Sequence, residues 1–132
     1  MNWTMFFVAL AMVESTNDPT KVGDQHLEHK AYGLYQIRQP YIDDVNEMFG
    51  SCYRTEHALN KRMAERIVFL YMRRYTPAYT AVTGKPLNWE AAARMHNGGP
   101  TGWDKDSTLP HWIKMKRELM KEIDPWTNQP VN

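Results

Sequence analysis

Hydrophobic residues fall along this chain in blocks whose spacing predicts a mainly helical protein. The first block, Asn2 to Ser15, is apolar nearly all round, the pattern of a helix buried in a core. The next stretch, Thr16 to Lys30, is polar and carries Asn17-Asp18-Pro19 and Gly23-Asp24. It reads as a long loop with room for short strands, a type of segment that often carries function in compact domains. Ala31 to Ile37 then leads through Pro40 into a short helix near Tyr41 to Phe49. From Thr55 to Tyr75, apolar Ala58, Leu59, Met63, Ile67, Leu70 and Tyr71 recur at helical spacing, with Pro77 marking the end. Asn88 is a good N-cap for Trp89 to His96, and Asn97-Gly98-Gly99-Pro100 must break that helix. The last helix starts near Thr108, tolerates Pro110 in its first turn and runs to about Glu122. Asp124-Pro125 ends it, and the tail to Asn132 is expected as a surface strap. The expected architecture is mainly α, one domain over residues 1–132, with a small irregular lobe after the first helix.

Composition narrows the class. The 132 residues suit one compact domain, and 42% hydrophobic with 23% charged residues is the balance of a folded protein. Sixteen basic and fifteen acidic residues leave a net charge of +1, so no basic field points to nucleic acid. Lys61, Arg62, Arg66, Arg73 and Arg74 read as a solvated helix face. The single cysteine, Cys52, cannot form an internal disulfide and reads as a half-buried thiol. Trp3 to Val13 lacks a basic leader and a small-residue cleavage site, and it is shorter than the roughly 20 apolar residues of a membrane span. No membrane span is expected.

Glu14 closes the most hydrophobic block of the chain. Desolvation and the negative end of its own helix both disfavour its charged form. A glycosidase needs such a proton-holding carboxylic acid to protonate a leaving oxygen. On position alone, a glutamate turned outward at a helix end is the commoner case.

The residues beyond Glu14 change the balance. Glu14-Ser15 is succeeded by Gly23-Asp24, Gly33-Leu34-Tyr35-Gln36-Ile37, Arg94-Met95-His96-Asn97-Gly98-Gly99-Pro100 and, near the C-terminus, Leu109-Pro110-His111-Trp112. In order and spacing over residues 5–114 this series resembles the superfamily of lytic transglycosylases and goose-type lysozymes, whose pattern runs E-S, G-D, G-L-M-Q-[IV], A-Y-N-G-G and then an aromatic residue. The resemblance implies a lysozyme-like fold that cuts peptidoglycan glycan strands outside the cytoplasm, after export or as part of a virion. A monomer is expected, and no cofactor or metal, because no ligand set has convincing spacing. The resemblance carries the general acid onto Glu14 and local support onto Ser15. Gly33, Tyr35, Gln36, His96, Asn97 and His111 fall in the matching substrate-binding positions. His96 and His111 replace family tyrosines; imidazole can hydrogen-bond Glu14 as phenol could, but it can also titrate.

Asp24 is the candidate second carboxylate. An inverting hydrolase needs one roughly 6.5–9.5 Å from the acid to activate water, although a loop Asp that caps a turn has the same sequence appearance. Goose-type enzymes carry a further acid directly after the G-L-M-Q-V motif, where this chain has Arg38. Arg cannot act as a base, which favours attack by the sugar's own hydroxyl and a 1,6-anhydro product over hydrolysis. Tyr32, Tyr35, Tyr41 and Trp103 are candidates for stacking on sugar rings, each with core packing as the commoner role. Asp24, His26, Glu28 and His29 lack the spacing of a metal site. Two rivals of other classes are a non-catalytic glycan-binding module, against which Glu14, Gln36 and Asn97 argue, and a metal-dependent wall peptidase.

Overall fold

The structure is a computed structural model that describes residues 1–123, 126 and 129. Helix α1 spans Trp3–Ser15, and the Asn2 side chain caps it by accepting from the Met5 amide at 3.1 Å. Its inner face, Met5, Phe6, Ala9, Leu10 and Ala11, is buried. The helix is not apolar-and-buried all round as its composition suggests. Val8 and Met12 are exposed, and together with Phe7, Leu34, Tyr35, Lys61 and Glu65 they line an outer groove of about 660 Å³.

The chain reverses directly after α1. The Thr16 amide donates to Met12 O at 3.1 Å and the Asn17 amide to Ala11 O at 3.0 Å. Both residues take left-handed backbone, φ 54° and 63°. That conformation is unusual for a β-branched threonine. Ser15 pins the reversal: its buried hydroxyl donates to Ala11 O at 3.0 Å and accepts from the Asp18 amide at 3.1 Å.

The returning segment forms the irregular lobe. Strands β1 (Val22–Gly23) and β2 (Ala31–Tyr32) pair antiparallel, Val22 opposite Tyr32 and Gly23 opposite Ala31. Tyr32 and Ile37 exchange backbone hydrogen bonds, both 2.9 Å, which closes a tight turn around Gly33. Gly33 has φ +79°, and a Cβ there would stand 1.9 Å from the Ala58 carbonyl oxygen. Only glycine fits that approach.

Helix α2 (Gln39–Phe49), with Pro40 in its first turn, buries Ile42 and Val45. A 3₁₀ turn (Thr55–Leu59) follows, and helix α3 runs Lys61–Thr83, capped by Asn60, which accepts from Met63 N at 3.0 Å. This corrects the sequence expectation in two ways. The 55–75 pattern is split at Asn60, so Leu59 and Met63 are exposed and the buried face is Ala64, Ile67, Val68, Tyr71 and Met72. The helix also continues through Pro77. Proline removes one ladder hydrogen bond, yet the following turn holds because Tyr79 is buried, meets the edge of Trp103 at 5.4 Å and accepts from Asn88 Nδ2 at 3.3 Å. Packing outweighs the local preference. Arg74 is also not simply solvated, since it reaches α2 at the Asp44 carbonyl (2.5 Å) and Glu47 (3.2 Å).

Helix α4 (Trp89–Gly98) starts at Asn88, whose side chain accepts from Ala91 N at 2.8 Å, and ends at Gly99 with φ +90°. Short 3₁₀ turns lead to helix α5 (Leu109–Lys121). Helix α5 packs on both α1 and α4, and α2 packs on α3. Cys52 is exposed rather than half-buried, because it lies in the loop that leaves α2. No helix of the described residues is long and apolar enough to cross a membrane. The expected stop at Asp124-Pro125 and most of the C-terminal strap lie outside the described residues.

Two glycine substitutions separate strain from collision. Gly50 also has positive φ, +63°, but nothing lies within 4 Å of a Cβ built on it. Gly50→Ala should therefore cost about 1–2 kcal/mol, the left-handed penalty alone. Gly33→Ala adds the backbone clash and should cost more than about 3 kcal/mol. Urea midpoints of the two variants check the order; equal losses would reject the account.

Candidate active site

Three parts of the fold converge on one cleft. The end of α1 contributes Glu14, the lobe contributes Lys21, Gly23, Asp24, Gln36 and Arg38, and the end of α4 contributes His96 and Asn97. The cleft measures about 320 Å³ and is lined almost entirely by polar atoms. It continues into a hollow of about 300 Å³ that shares Gln36, Arg38, His96 and Asn97 and adds Pro40, Tyr41, Tyr71 and Pro100. The larger groove beside Phe7 shares no lining residue with either and contains none of this chemistry.

Glu14 is turned inward. Its side chain is 17% exposed and lies against His111 of α5, itself 10% exposed, with 2.6 Å between His111 Nε2 and Glu14 Oε1. The packing of α5 on α1 makes this contact. Lys21 Nζ sits 3.4 Å from the Glu14 carbonyl oxygen, a cation at the negative end of the helix.

His96 does not hydrogen-bond Glu14. Its Nε2 lies 2.8 Å from the Tyr35 carbonyl oxygen, which can only accept, so Nε2 carries a proton. Its Nδ1 lies 3.0 Å from the Tyr41 hydroxyl. Burial pushes the imidazole pKa below its usual 6.5, against the weaker upward pull of Glu14. A neutral ring then accepts from Tyr41 through Nδ1. Burial likewise pushes the Tyr41 phenol well above its usual range, so it stays a donor. The Tyr41 ring stacks on Tyr71 at 3.7 Å. His96 thereby ties α4 to the lobe and to α2.

Asp24 and Arg38 form an ion pair across the lobe, and Arg38 also donates to the His29 carbonyl at 2.5 Å. The hydrogen bond from Arg38 holds the Asp24 pKa below the usual 3.8. Asp24 takes φ +51°, as does Gln36. Gln36 Nε2 donates to Gly33 O at 2.9 Å and Lys21 O at 3.3 Å, so this side chain braces the lobe as well as lining the cleft. Asn97 is exposed at the cleft and makes no side-chain hydrogen bond among the described residues.

Several expected site residues stand elsewhere. The Tyr35 ring is buried beside Phe7, its hydroxyl donates to Glu65 at 3.0 Å, and it opens toward the outer groove; only its carbonyl reaches the site, through His96. Gly33 and Ser15 do not line the cleft and act on the backbone that shapes it. Trp103 packs on Tyr79, away from the cleft. Sequence reasoning missed Lys21 and the pairing of Arg38 with Asp24. The second had a signal: two positions that hold acids with a shared task in a resembling family must be close, and opposite charges there should pair. Among the described residues no group of three or more His, Cys, Asp or Glu is placed to hold a metal.

Comparison with known proteins points to lysozymes. No family model matches the chain. It is 35% identical over 91 residues to an invertebrate-type lysozyme of Ruditapes philippinarum, covering 69% of this chain and 59% of that one. A lysozyme of Magallana gigas is 35% identical over 89 residues, 65% of this chain and 58% of that one. Invertebrate-type lysozyme 3 of Caenorhabditis elegans is 36% identical over 90 residues, 64% and 63%. The chain thus spans about 60% of the length of these relatives. Among solved structures, Tapes japonica lysozyme superposes with a TM-score of 0.72 at 27% identity, over 86% of this chain and 87% of that one. Meretrix lusoria lysozyme in complex with Aeromonas hydrophila PliI gives 0.72 at 26% identity with the same coverage. The chain has a lysozyme fold. The resemblance holds for lysozymes as a class, while its narrower assignment to lytic transglycosylases and goose-type enzymes has only the motifs behind it.

The neutral, half-buried His96 makes stability depend on pH. Between the folded-state pKa and 6.5 the unfolded chain binds a proton that the folded chain does not, so stability falls as pH drops below about 6.5. His96→Gln keeps an N–H for Tyr35 O and removes the titration. Urea midpoints from pH 7.5 to 5 should fall less steeply in that variant than in the native chain; parallel slopes would contradict the assignment.

Proposed function

We propose that this chain cleaves the β-1,4 bond between N-acetylmuramic acid and N-acetylglucosamine in peptidoglycan, with Glu14 as general acid, and that it acts outside the cytoplasm on the glycan strands of the cell wall. The observation that carries the reading is an inward carboxyl at the end of an apolar helix, in a polar cleft, in a chain whose relatives are named lysozymes. Glu14 protonates the bridging oxygen and an oxocarbenium-like centre develops at C1. Asn97 and Gln36 suit the N-acetyl group and hydroxyls, because amides both donate and accept. Tyr41, which borders the continuation of the cleft, is the best placed of the aromatic candidates to border a sugar.

For the second half of the reaction, hydrolysis is the favoured course. Asp24 lines the same cleft as Glu14, and Arg38 keeps it ionised and fixes its direction. An ionised, oriented carboxylate can hold a water for attack at C1. In this reading Arg38 is not a lost acid but the partner that steadies the remaining one. The 1,6-anhydro route of a lytic transglycosylase needs no such group and is the alternative outcome. Ser15, Gly33, Tyr35 and His96 serve by shaping the backbone around the cleft, and no metal or other cofactor enters the reaction.

Glu14→Gln should keep the fold and lose about 10²–10⁴-fold in wall-lysis rate. Retention of more than a tenth of the activity would overturn the assignment of Glu14, and absence of lysis by the native chain would favour a glycan-binding module. Mass spectrometry of digested wall separates the two courses, since anhydro fragments are lighter by one water. Fragments at full water mass are expected. Activity should survive a chelator, which a metal-dependent peptidase would not.

A further inference from the structure

We infer that His111 is held as the neutral Nε2–H tautomer, and that this places the acid proton of Glu14 on Oε2, the oxygen open to the cleft. The inference rests on the reading of Glu14 as the general acid and adds where its proton sits and what keeps it there.

One proton lies between His111 Nε2 and Glu14 Oε1, which are 2.6 Å apart. It belongs to the imidazole or to the carboxyl. If Oε1 carried it, or if the ring were an imidazolium, His111 would need a proton on Nδ1. That nitrogen is buried and has no hydrogen-bond partner among the described residues. An N–H sealed there would lose its hydration with nothing in return, and a cation more so; orphaned buried N–H groups are rarer than under-satisfied acceptors. The arrangement that avoids this is Nε2–H donating to Oε1, with a bare lone pair on Nδ1.

The surrounding groups agree. From α4 comes His96, whose ring is neutral because burial disfavours its charge more than Glu14 and the Tyr35 carbonyl favour it. From α2 comes the Tyr41 phenol, also neutral. From the lobe, Lys21 engages the Glu14 carbonyl rather than its carboxyl, and Arg38 is paired with Asp24.

Oε2 of Glu14 is different. It makes no hydrogen bond among the described residues, yet it is not among their sealed, unpartnered polar atoms. Glu14 lines the cleft, so Oε2 is its open oxygen. With Nε2–H already directed at Oε1, a proton on the carboxyl goes to Oε2. In the reaction that proton passes from Oε2 to the bridging oxygen. The C1–O bond breaks, its electron pair stays with the bridging oxygen, and the departing sugar leaves with a free hydroxyl. Glu14 is then a carboxylate. His111 keeps its own proton throughout, and its hydrogen bond to Oε1 strengthens as charge develops there. His111 is therefore a positioning residue that favours the transition state over the ground state.

Long-range ¹H–¹⁵N correlation spectra of the native protein test the tautomer directly. The expected pattern is one protonated nitrogen, Nε2, and one bare nitrogen, Nδ1, across the pH range of activity. An Nδ1–H tautomer or an imidazolium in that range would overturn the inference. Two variants test the role. His111→Leu removes the donor and should lower kcat by about 10–100-fold with KM little changed. His111→Gln can offer an amide N–H near the same place and should recover most of kcat with the native pH profile. Native kcat in His111→Leu, or a folded His111→Gln as slow as the leucine variant, would refute the role; if either variant fails to fold, the native spectra still decide. Glu14→Gln is the separate arm. Its retained activity would remove the general-acid reading while leaving the His111 tautomer a measured fact.

Discussion

The architecture turns on the reversal of the chain after Ser15. An apolar helix driven into the core would ordinarily end in a solvated loop, with Glu14 on the surface. Instead Thr16 and Asn17 adopt left-handed backbone, and the Ser15 hydroxyl bridges the last turn of α1 to Asp18. Each left-handed non-glycine residue costs on the order of 1–3 kcal/mol. The strain is local to the site, and its return is geometric: the lobe folds back to form one wall of the cleft while α5 closes on α1 from the other side. A carboxyl at the hinge of these movements is enclosed without being sealed.

The remaining polar groups follow one rule, that whatever is enclosed is neutral and whatever is charged is paired or open. His96 is half-buried and neutral, with both nitrogens used. Asp24 and Arg38 are charged, more than a third exposed and joined to each other. Their pairing adds little to stability, as expected of exposed ion pairs. Its value is directional, because it fixes a carboxylate in the cleft wall. Tyr35 serves two layers at once. Its hydroxyl bonds Glu65 on the outer side and its carbonyl orients His96 on the inner side.

The sequence was most legible where local chemistry and tertiary packing agree. Asn2, Asn60 and Asn88 cap their helices, and the reversal, lobe and α4 break fall where the turn residues stand. It was least legible in α3. Pro77 reads as a terminator, but Tyr79 and Trp103 supply enough packing to carry the helix two turns further, to Thr83. The cleft was partly legible. Glu14, Gln36, Asn97 and Asp24 were named from motifs, and all four line it. Tyr35 was misplaced because its motif position says nothing of side-chain direction. Between Gly33 and Gln36, which have positive φ, strand alternation no longer assigns faces. The two histidines show the same limit. Both stand where the motif has an aromatic donor, yet only His111 meets Glu14, while His96 is spent on the Tyr35 carbonyl.

That division of labour bears on how the cleft treats charge. Glu14 and Asp24 are its acids, and Lys21 and Arg38 are its cations. With His96 neutral, and His111 neutral as inferred, the fixed charges cancel when Glu14 is ionised and leave a single positive excess when it is protonated. On the proposed reading, a substrate bearing carboxylates is then not repelled by the state in which Glu14 still holds its proton. On that reading, two imidazoles can stand where the resembling family has two phenols because the fold gives each ring a reason to stay uncharged: burial for His96, and for His111 an Nδ1 that is sealed and has no hydrogen-bond partner among the described residues.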